Sequence, residues 1–278
     1  MNKIALGISC WNRPQYLRQL ISSLEANSND LADIDYHLFI DGDICSYTNI
    51  KLTDISLINE CIDIWDKALL PDKQLHRRFR NIGTAIQQFE MMQMLTNVYE
   101  RIIFLEDDVI VSPNFIFLMK KILVHFEKDN SIFSVSPGFK LLCKVEEIDK
   151  YTNAIKFIEG HFWAEAIWSH KWKQIVPLIQ EYINIIKEKE YRSRNDQKIK
   201  DLFIRHGRSM LATSQDNAKD WAISRTKMKR ARFIINRATG VGNEGVHSTA
   251  AKLARSGDGH NQIYILKDER LIDNFRIV

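Results

Sequence analysis

Apolar runs of strand length alternate with apolar stripes of helical spacing along the first half of the chain. Residues 3–9, KIALGIS, read as a strand that gives way to polar residues at Cys10–Arg13. Pro14 stands where proline suits the first turn of a helix. Leu17, Leu20, Ile21 and Leu24 then recur at helical intervals, so the pattern predicts an amphipathic helix over about 14–26. YHLFIDGD (36–43) predicts a second strand ending in Asp41-Gly42-Asp43, and Ile55, Ile58, Ile62 and Trp65 mark a second helix. Residues 82–97 predict a third. Ile102–Leu105 form a buried-type run that leads without a spacer into Glu106, Asp107 and Asp108. Pro113 opens a helix over NFIFLMKKILVHF, and SIFSVSP returns as a strand. This alternation predicts a doubly wound, mostly parallel α/β sheet with helices on both faces.

The second half is less regular. Helical patterns fall near 173–190 and 196–206, an aromatic-dense stretch covers 160–172, and residues 214–249 mix acids, bases, glycine and histidine as the lining of a site would. With no repeat, low-complexity tract or Pro/Gly/Ser linker, a single domain over 1–278 is expected. Ligands of such sheets bind beyond the carboxyl ends of the strands. SCWNR (9–13), DGD (41–43) and EDD (106–108) all fall there, so three polar clusters converge on one edge.

Composition narrows the picture further. A hydrophobic content of 45% over 278 residues suffices for a sizeable core. The net charge of +4 collects at HRRFR (76–80) and KMKRAR (227–232). That excess suits a solvated face, phosphate binding or anionic lipid headgroups, and is too weak for a nucleic-acid partner. Cys10, Cys45, Cys61 and Cys143 form no CxxC pair and read as buried thiols of a reducing compartment. No signal-peptide h-region and no bilayer-length apolar run is present, which predicts a soluble cytoplasmic protein with at most peripheral contact at the inner face of a membrane.

Three adjacent carboxylates repel one another, and burial adds to the cost unless a cation sits among them. Glu106 and Asp108, two apart on an extended chain, face the same way. Hard carboxylate oxygens suit Mg²⁺ or Mn²⁺ and leave coordination positions for phosphate oxygens and water.

ISCWNRPQYLRQLISSL, FIDGD, NIGTAIQQFEMM and RIIFLEDDVIVSPNF together resemble a glycosyltransferase of the GT-A (Rossmann-like) fold. The likeness is to bacterial surface-polysaccharide transferases and to the N-acetylglucosaminyltransferase I type. FWAEAIWSHKW is similar to the bacterial WGWATW signature, with Ala164-Glu165 in place of Gly-Trp, and GVGNEGVHST is similar to the closing segment. The resemblance implies a metal-dependent enzyme that moves a hexosyl or N-acetylhexosaminyl group from a UDP-sugar to a glycan or lipid-linked glycan hydroxyl, with inversion, in polysaccharide biosynthesis. Residues 1–140 would form the nucleotide-sugar half and 141–278 the acceptor half. Asp108 is the implied metal ligand and His247 approaches the metal or the phosphates. Glu106 and Asp107 lie nearer the sugar and ribose, Arg13 contacts the diphosphate and Asn81 the nucleotide. Asp41, or Asp43 in its stead, accepts the uracil N3–H. The general base is Asp220 beside Trp221, with Asp216 one turn earlier as the alternative. Trp163 and Trp168 are candidates for stacking on a sugar, one of them as core. A sugar nucleotidyltransferase is the nearest rival, although GISCWNRP makes a poor phosphate loop. A non-catalytic glycan-binding relative is the other.

Overall fold

The computed structural model describes residues 3–159, 163–209, 212–242, 263–266 and 269–278. The chain begins β1 (Ile4–Cys10), α1 (Pro14–Glu25), β2 (Ile34–Ile40), α2 (Ile55–Lys67), β3 (Lys73–Arg77), α3 (Thr84–Val98) and β4 (Arg101–Glu106). The carboxylate triplet then turns into the short strand β5 (Val109–Val111), followed by α4 (Phe115–His125) and β6 (Ile132–Ser136). The second half adds β7 (Ala154–Ile158), β8 (Ala164–Trp168), α5 (Ser169–Ile186), α6 (Asp196–Arg205) and α7 (Gln215–Ser224). It closes with β9 (Lys229–Phe233), β10 (Ala238–Gly240) and β11 (Arg276–Ile277).

Nine strands form one sheet in the order β11-β7-β9-β6-β8-β4-β1-β2-β3, and β10 pairs with β5 in a separate two-stranded ribbon. Five of the eight pairings in the large sheet are parallel. The α/β class and the mostly parallel sheet therefore match the expectation. The antiparallel pairings are those of β8 with both of its neighbours, β4 and β6, and that of β7 with β9.

Strand β4 shows why the sheet is buried on both faces. Its alternating residues serve two cores: Ile103 and Leu105 pack with α1, α2 and α4, while Ile102 and Phe104 pack with α3, α5, α6 and α7. A strand covered on both sides reads as a continuous apolar run, which is what IIFL is. On α1 the predicted stripe Leu17, Leu20, Ile21 and Leu24 is buried throughout. The helices over 173–190 and 196–206 appear as α5 and α6, with α5 starting four residues earlier because Trp168 ends a strand rather than a loop.

The basic stretch KMKRAR corrects the charge reading. It supplies β9, in which Arg230 and Arg232 are 2% and 1% exposed. Arg230 lies beside the buried carboxylate of Glu165, 3.6 Å away, and Arg232 donates to the carbonyls of Phe233 and Lys140. These cations are interior structure, not a solvated or phosphate-binding face. Burial pushes the Arg232 guanidinium down to about 10.

Candidate functional site

Strands β1 and β4 are parallel neighbours with Ser9 opposite Glu106, so SCWNR and EDD leave the sheet side by side. Arg13 caps the start of α1 there. Its Nη1 donates to Asp108 Oδ2 at 2.8 Å and its Nη2 donates to Asp107 Oδ1. One guanidinium thus bridges two acids of the triplet, a use of the planar fork that a lysine cannot reproduce. Burial disfavours the Arg13 charge, but Asp107 and Asp108 outweigh it and raise its pKa. Asp107 is 2% exposed and its Oδ2 is buried without a partner. Burial raises its pKa against the opposing pull of Arg13.

The end of the described chain before residue 243 closes over Asp108. Strand β10 pairs antiparallel with β5, and the Val241 N–H donates to the Asp108 carbonyl at 2.7 Å. A Cβ on Gly242 would fall 2.1 Å from Asp108 Oδ2, so any larger residue there would displace that carboxylate. His247, the second implied metal ligand, lies outside the described residues. Among the described residues no three His, Cys, Asp or Glu side chains gather as a metal cage. The donor chemistry still fits a hard divalent ion: Asp108 offers carboxylate oxygen at the rim, and the remaining positions suit diphosphate oxygens and water. Such an ion would enter together with its nucleotide.

Glu106 accepts from Gln88 Nε2 at 2.9 Å. Burial, then the charges of Asp108 and Asp216, push its carboxyl up to about 8, with Lys219 and Gln88 opposing. Asp216 belongs to the first turn of α7, a helix capped by Ser214 Oγ accepting the Asn217 N–H at 3.3 Å. Its charge is therefore felt at the carboxylate edge. Asp220, one turn further along α7, acts with Glu165 and Asp216 on buried Arg230, where the three charges oppose the desolvation that lowers the Arg230 pKa.

Asp41 does not present a free oxygen. It is 2% exposed, and its carboxylate accepts the backbone N–H groups of Gly42, Ile82 and Gly83 at 3.0–3.1 Å. Burial raises its pKa and those amides counter the rise. The residue fastens the end of β2 to the start of α3. Gly42 permits the fastening, since a Cβ there would meet the Arg80 backbone at 2.5 Å. Asp43 is half-buried in the same loop. Asn81 is 9% exposed, and its backbone exchanges hydrogen bonds with Ile44 and Ser46, which places it on the same loop cluster.

The two tryptophans separate cleanly. Trp168 is fully buried, donates from Nε1 to the Leu123 carbonyl at 2.8 Å, and has Lys171 Nζ 3.7 Å over its ring. It is core. Trp163 is half-buried; its carbonyl accepts the Glu106 N–H at 2.8 Å, and its ring lies against Gly240 and Phe139.

Three polar side chains beside this edge escaped the sequence reading. Glu165, Lys219 and Gln88 are 2%, 8% and 5% exposed, on β8, α7 and α3. Glu165 accepts from Ser134 Oγ at 2.7 Å. The available signals were a glutamate inside the apolar run AEAIW and the paired glutamines of TAIQQF.

No family model matches the chain, and no curated protein matches it. Among solved structures it is similar to residues 1–349 of S. aureus TarS in complex with UDP-GlcNAc. The identity is 13%, coverage is 60% of this chain and 45% of that one, and the TM-score is 0.37. It is also similar to the mannosyltransferase PcManGT from Pyrobaculum calidifontis in complex with GDP-Man and Mn²⁺. There the identity is 10%, coverage is 93% and 66%, and the TM-score is 0.45. The chain thus spans less than two thirds of either matched chain. TM-scores this low decide nothing about activity. The residues at the sheet edge have to carry the functional reading.

Proposed function

We propose that the protein is a metal-assisted, inverting GT-A glycosyltransferase that uses a UDP-sugar and a glycan hydroxyl. The observation that carries this reading is the Arg13 fork across Asp107 and Asp108 at the carboxyl ends of β1 and β4, with Asp216 acting on the same acidic edge. Arg13 would bind the diphosphate, Asp43 and Asn81 the nucleoside, and Glu106 a sugar hydroxyl. Asp108 would hold the divalent ion, which when bound offsets the charge on the diphosphate.

In the transfer the acceptor oxygen bonds to the anomeric carbon as the bond from that carbon to the diphosphate oxygen breaks. Asp216 takes the acceptor's proton, and the nucleoside diphosphate leaves on the opposite side of the ring. A lipid-linked glycan suits the acceptor role as well as a free one. Among the described residues no helix is long and apolar enough to cross a membrane.

The test is a thermal-shift panel of UDP-, GDP- and CDP-sugars with and without Mn²⁺, followed by transfer assays on the stabilising donor. A ligand of the native state raises the melting temperature by mass action. A UDP-sugar should stabilise most, and only with the metal present. No response to any nucleotide sugar would overturn the proposal.

A further inference from the structure

Among the described residues the most enclosed ion pair joins Arg237 to Glu269. Both side chains are 0% exposed, and Arg237 Nε lies 2.5 Å from Glu269 Oε1. The two atoms are not aligned as a hydrogen bond, so the contact is one of charge. Burial pushes the Arg237 guanidinium down to about 10, with Glu269 opposing. Well-packed apolar residues would stabilise the fold as well as such a pair does. Its presence points to placement rather than to stability.

Arg237 is a junction between segments. Its N–H donates to the Pro137 carbonyl and its own carbonyl accepts the Ser112 N–H, both at 2.8 Å. Its Nη1 donates to the Ile235 carbonyl at 2.9 Å and its Nη2 to that of Thr152 at 3.4 Å. Glu269 begins a single helical turn (Glu269–Leu271) and also accepts from Asn114 Nδ2 at 2.9 Å. The next residue, Arg270, fastens that turn to Asp30 through both Nη atoms, at 2.7 and 2.9 Å.

From Arg237 the chain enters β10 directly. Ala238 pairs with Val111 and Gly240 with Val109, so the ribbon runs roughly 10 Å from this junction toward Asp108. At its far end the Val241 N–H holds the Asp108 carbonyl, and Gly242 packs against the Asp108 carboxylate. Two strands of three residues, outside the nine-stranded sheet, hold little by themselves. Their position depends on what fastens their ends.

We infer that Glu269 is a positioning residue for the donor-binding edge. Through Arg237 and the β5–β10 ribbon it fixes where the Asp108 carboxylate stands; fully enclosed, it touches no ligand itself. This rests on the transferase reading above and adds to it a dependence on the turn at 269–271.

Calorimetry at a temperature well below melting measures UDP binding with Mn²⁺ present. Glu269→Gln keeps the size of the side chain and removes its charge. It should weaken binding at least about tenfold, the lower end of the range for losing a group that orients a metal ligand. Ile64→Ala, which opens a cavity under α2, costs comparable stability and should leave the affinity unchanged. Coupling is reciprocal, so UDP with Mn²⁺ should in turn steady the anchor in the wild type. Exchange of the Ile272 amide, which donates to the Glu269 carbonyl, should slow together with that of Val241.

If the wild type binds no nucleotide, the transferase reading falls and the inference falls with it. If the wild type binds UDP and folded Glu269→Gln binds it equally, Glu269 is structural only and the transferase reading stands. An equal loss of affinity in Ile64→Ala overturns the inference too. Should Glu269→Gln fail to fold, Ile272 exchange in the wild type decides: a rate indifferent to the ligand overturns it.

Discussion

Replacing Arg13 by glutamine isolates the electrostatics of the acidic edge. The substitution keeps a polar side chain but removes the charge that bridges Asp107 and Asp108. The Asp107 side chain is 3% exposed and would keep no cation within reach of a hydrogen bond; its second oxygen is already unpartnered. Removing one partner of a buried pair costs about 3–5 kcal/mol. The Arg13 side chain is 28% exposed, so solvent screening brings the expected loss to roughly 2–3 kcal/mol. For a chain of this size that corresponds to a melting point lower by about 4–12 °C.

The deficit should be partly recoverable. Mn²⁺ at 100 times its dissociation constant adds about 2.7 kcal/mol to the native state, and the freed carboxylates are its expected seat. The assay is a thermal melt of wild type and Arg13→Gln with and without Mn²⁺, checked by urea denaturation. Mn²⁺ alone should stabilise the variant more than the wild type, in which Arg13 already occupies the acids. A variant that melts within 1 °C of wild type by the same scale would refute the view that this guanidinium holds the acidic edge together.

Asp216→Asn should leave UDP-sugar affinity nearly unchanged and slow turnover by about 10²–10⁴-fold, the range for a lost general base, while Asp220→Asn should slow it far less; steady-state kinetics at saturating donor separates the two. Gly242→Ala, whose new methyl would stand 2.1 Å from Asp108 Oδ2, should abolish the metal-dependent thermal shift; an unchanged shift would remove Asp108 from the metal's seat. Burial, then the neighbouring His76, pushes His37 down to about 4, against the pull of Asp35. A histidine depressed in the folded state is stabilising above its unfolded pKa near 6.5 and loses that stability as pH falls toward 4, by about 2 kcal/mol at pH 4.5. Urea midpoints at pH 7 and 4.5 should show the drop, and His37→Gln should lessen it. Asp41→Asn should cost roughly 1–3 kcal/mol through lost amide contacts without changing preference among UDP, GDP and CDP, which competition binding would test.

The first half of the fold was legible because its strands and helices each serve a buried face and so carry a clean period. β1, α1, β2, α2, α3, β4, α4 and β6 fall within a few residues of where the pattern puts them. Strand β3 was not, because KQLHR lies at the sheet's edge and is only partly buried, leaving no apolar run. β9 was hidden for a different reason. Its arginines are interior, but charge in a sequence reads as surface unless its partners are known, and Glu165 lies 65 residues away in the chain (230 − 165). At the site, the acidic triplet and Arg13 stood out as local clusters. The occupation of Asp41 by three backbone amides, and the choice between Asp216 and Asp220, depend on which loops meet in space. Spacing along the chain carries no trace of that.

The antiparallel strand β8 also bears on how the molecule is made. It seals one side of β4, the strand that delivers the carboxylates, yet it begins 58 residues after β4 ends (164 − 106). During synthesis β1, β2 and β3 can assemble on β4 as soon as it emerges. The other edge of Arg101–Glu106, with its run IIFL, then stands open until β8 arrives. At about 5–20 residues per second that interval lasts roughly 3–12 s. An apolar strand edge left unpaired for seconds is a template for pairing with another nascent chain. Expression should therefore respond to anything that slows elongation between residues 107 and 168, with loss into aggregates rather than loss of stability in the finished protein.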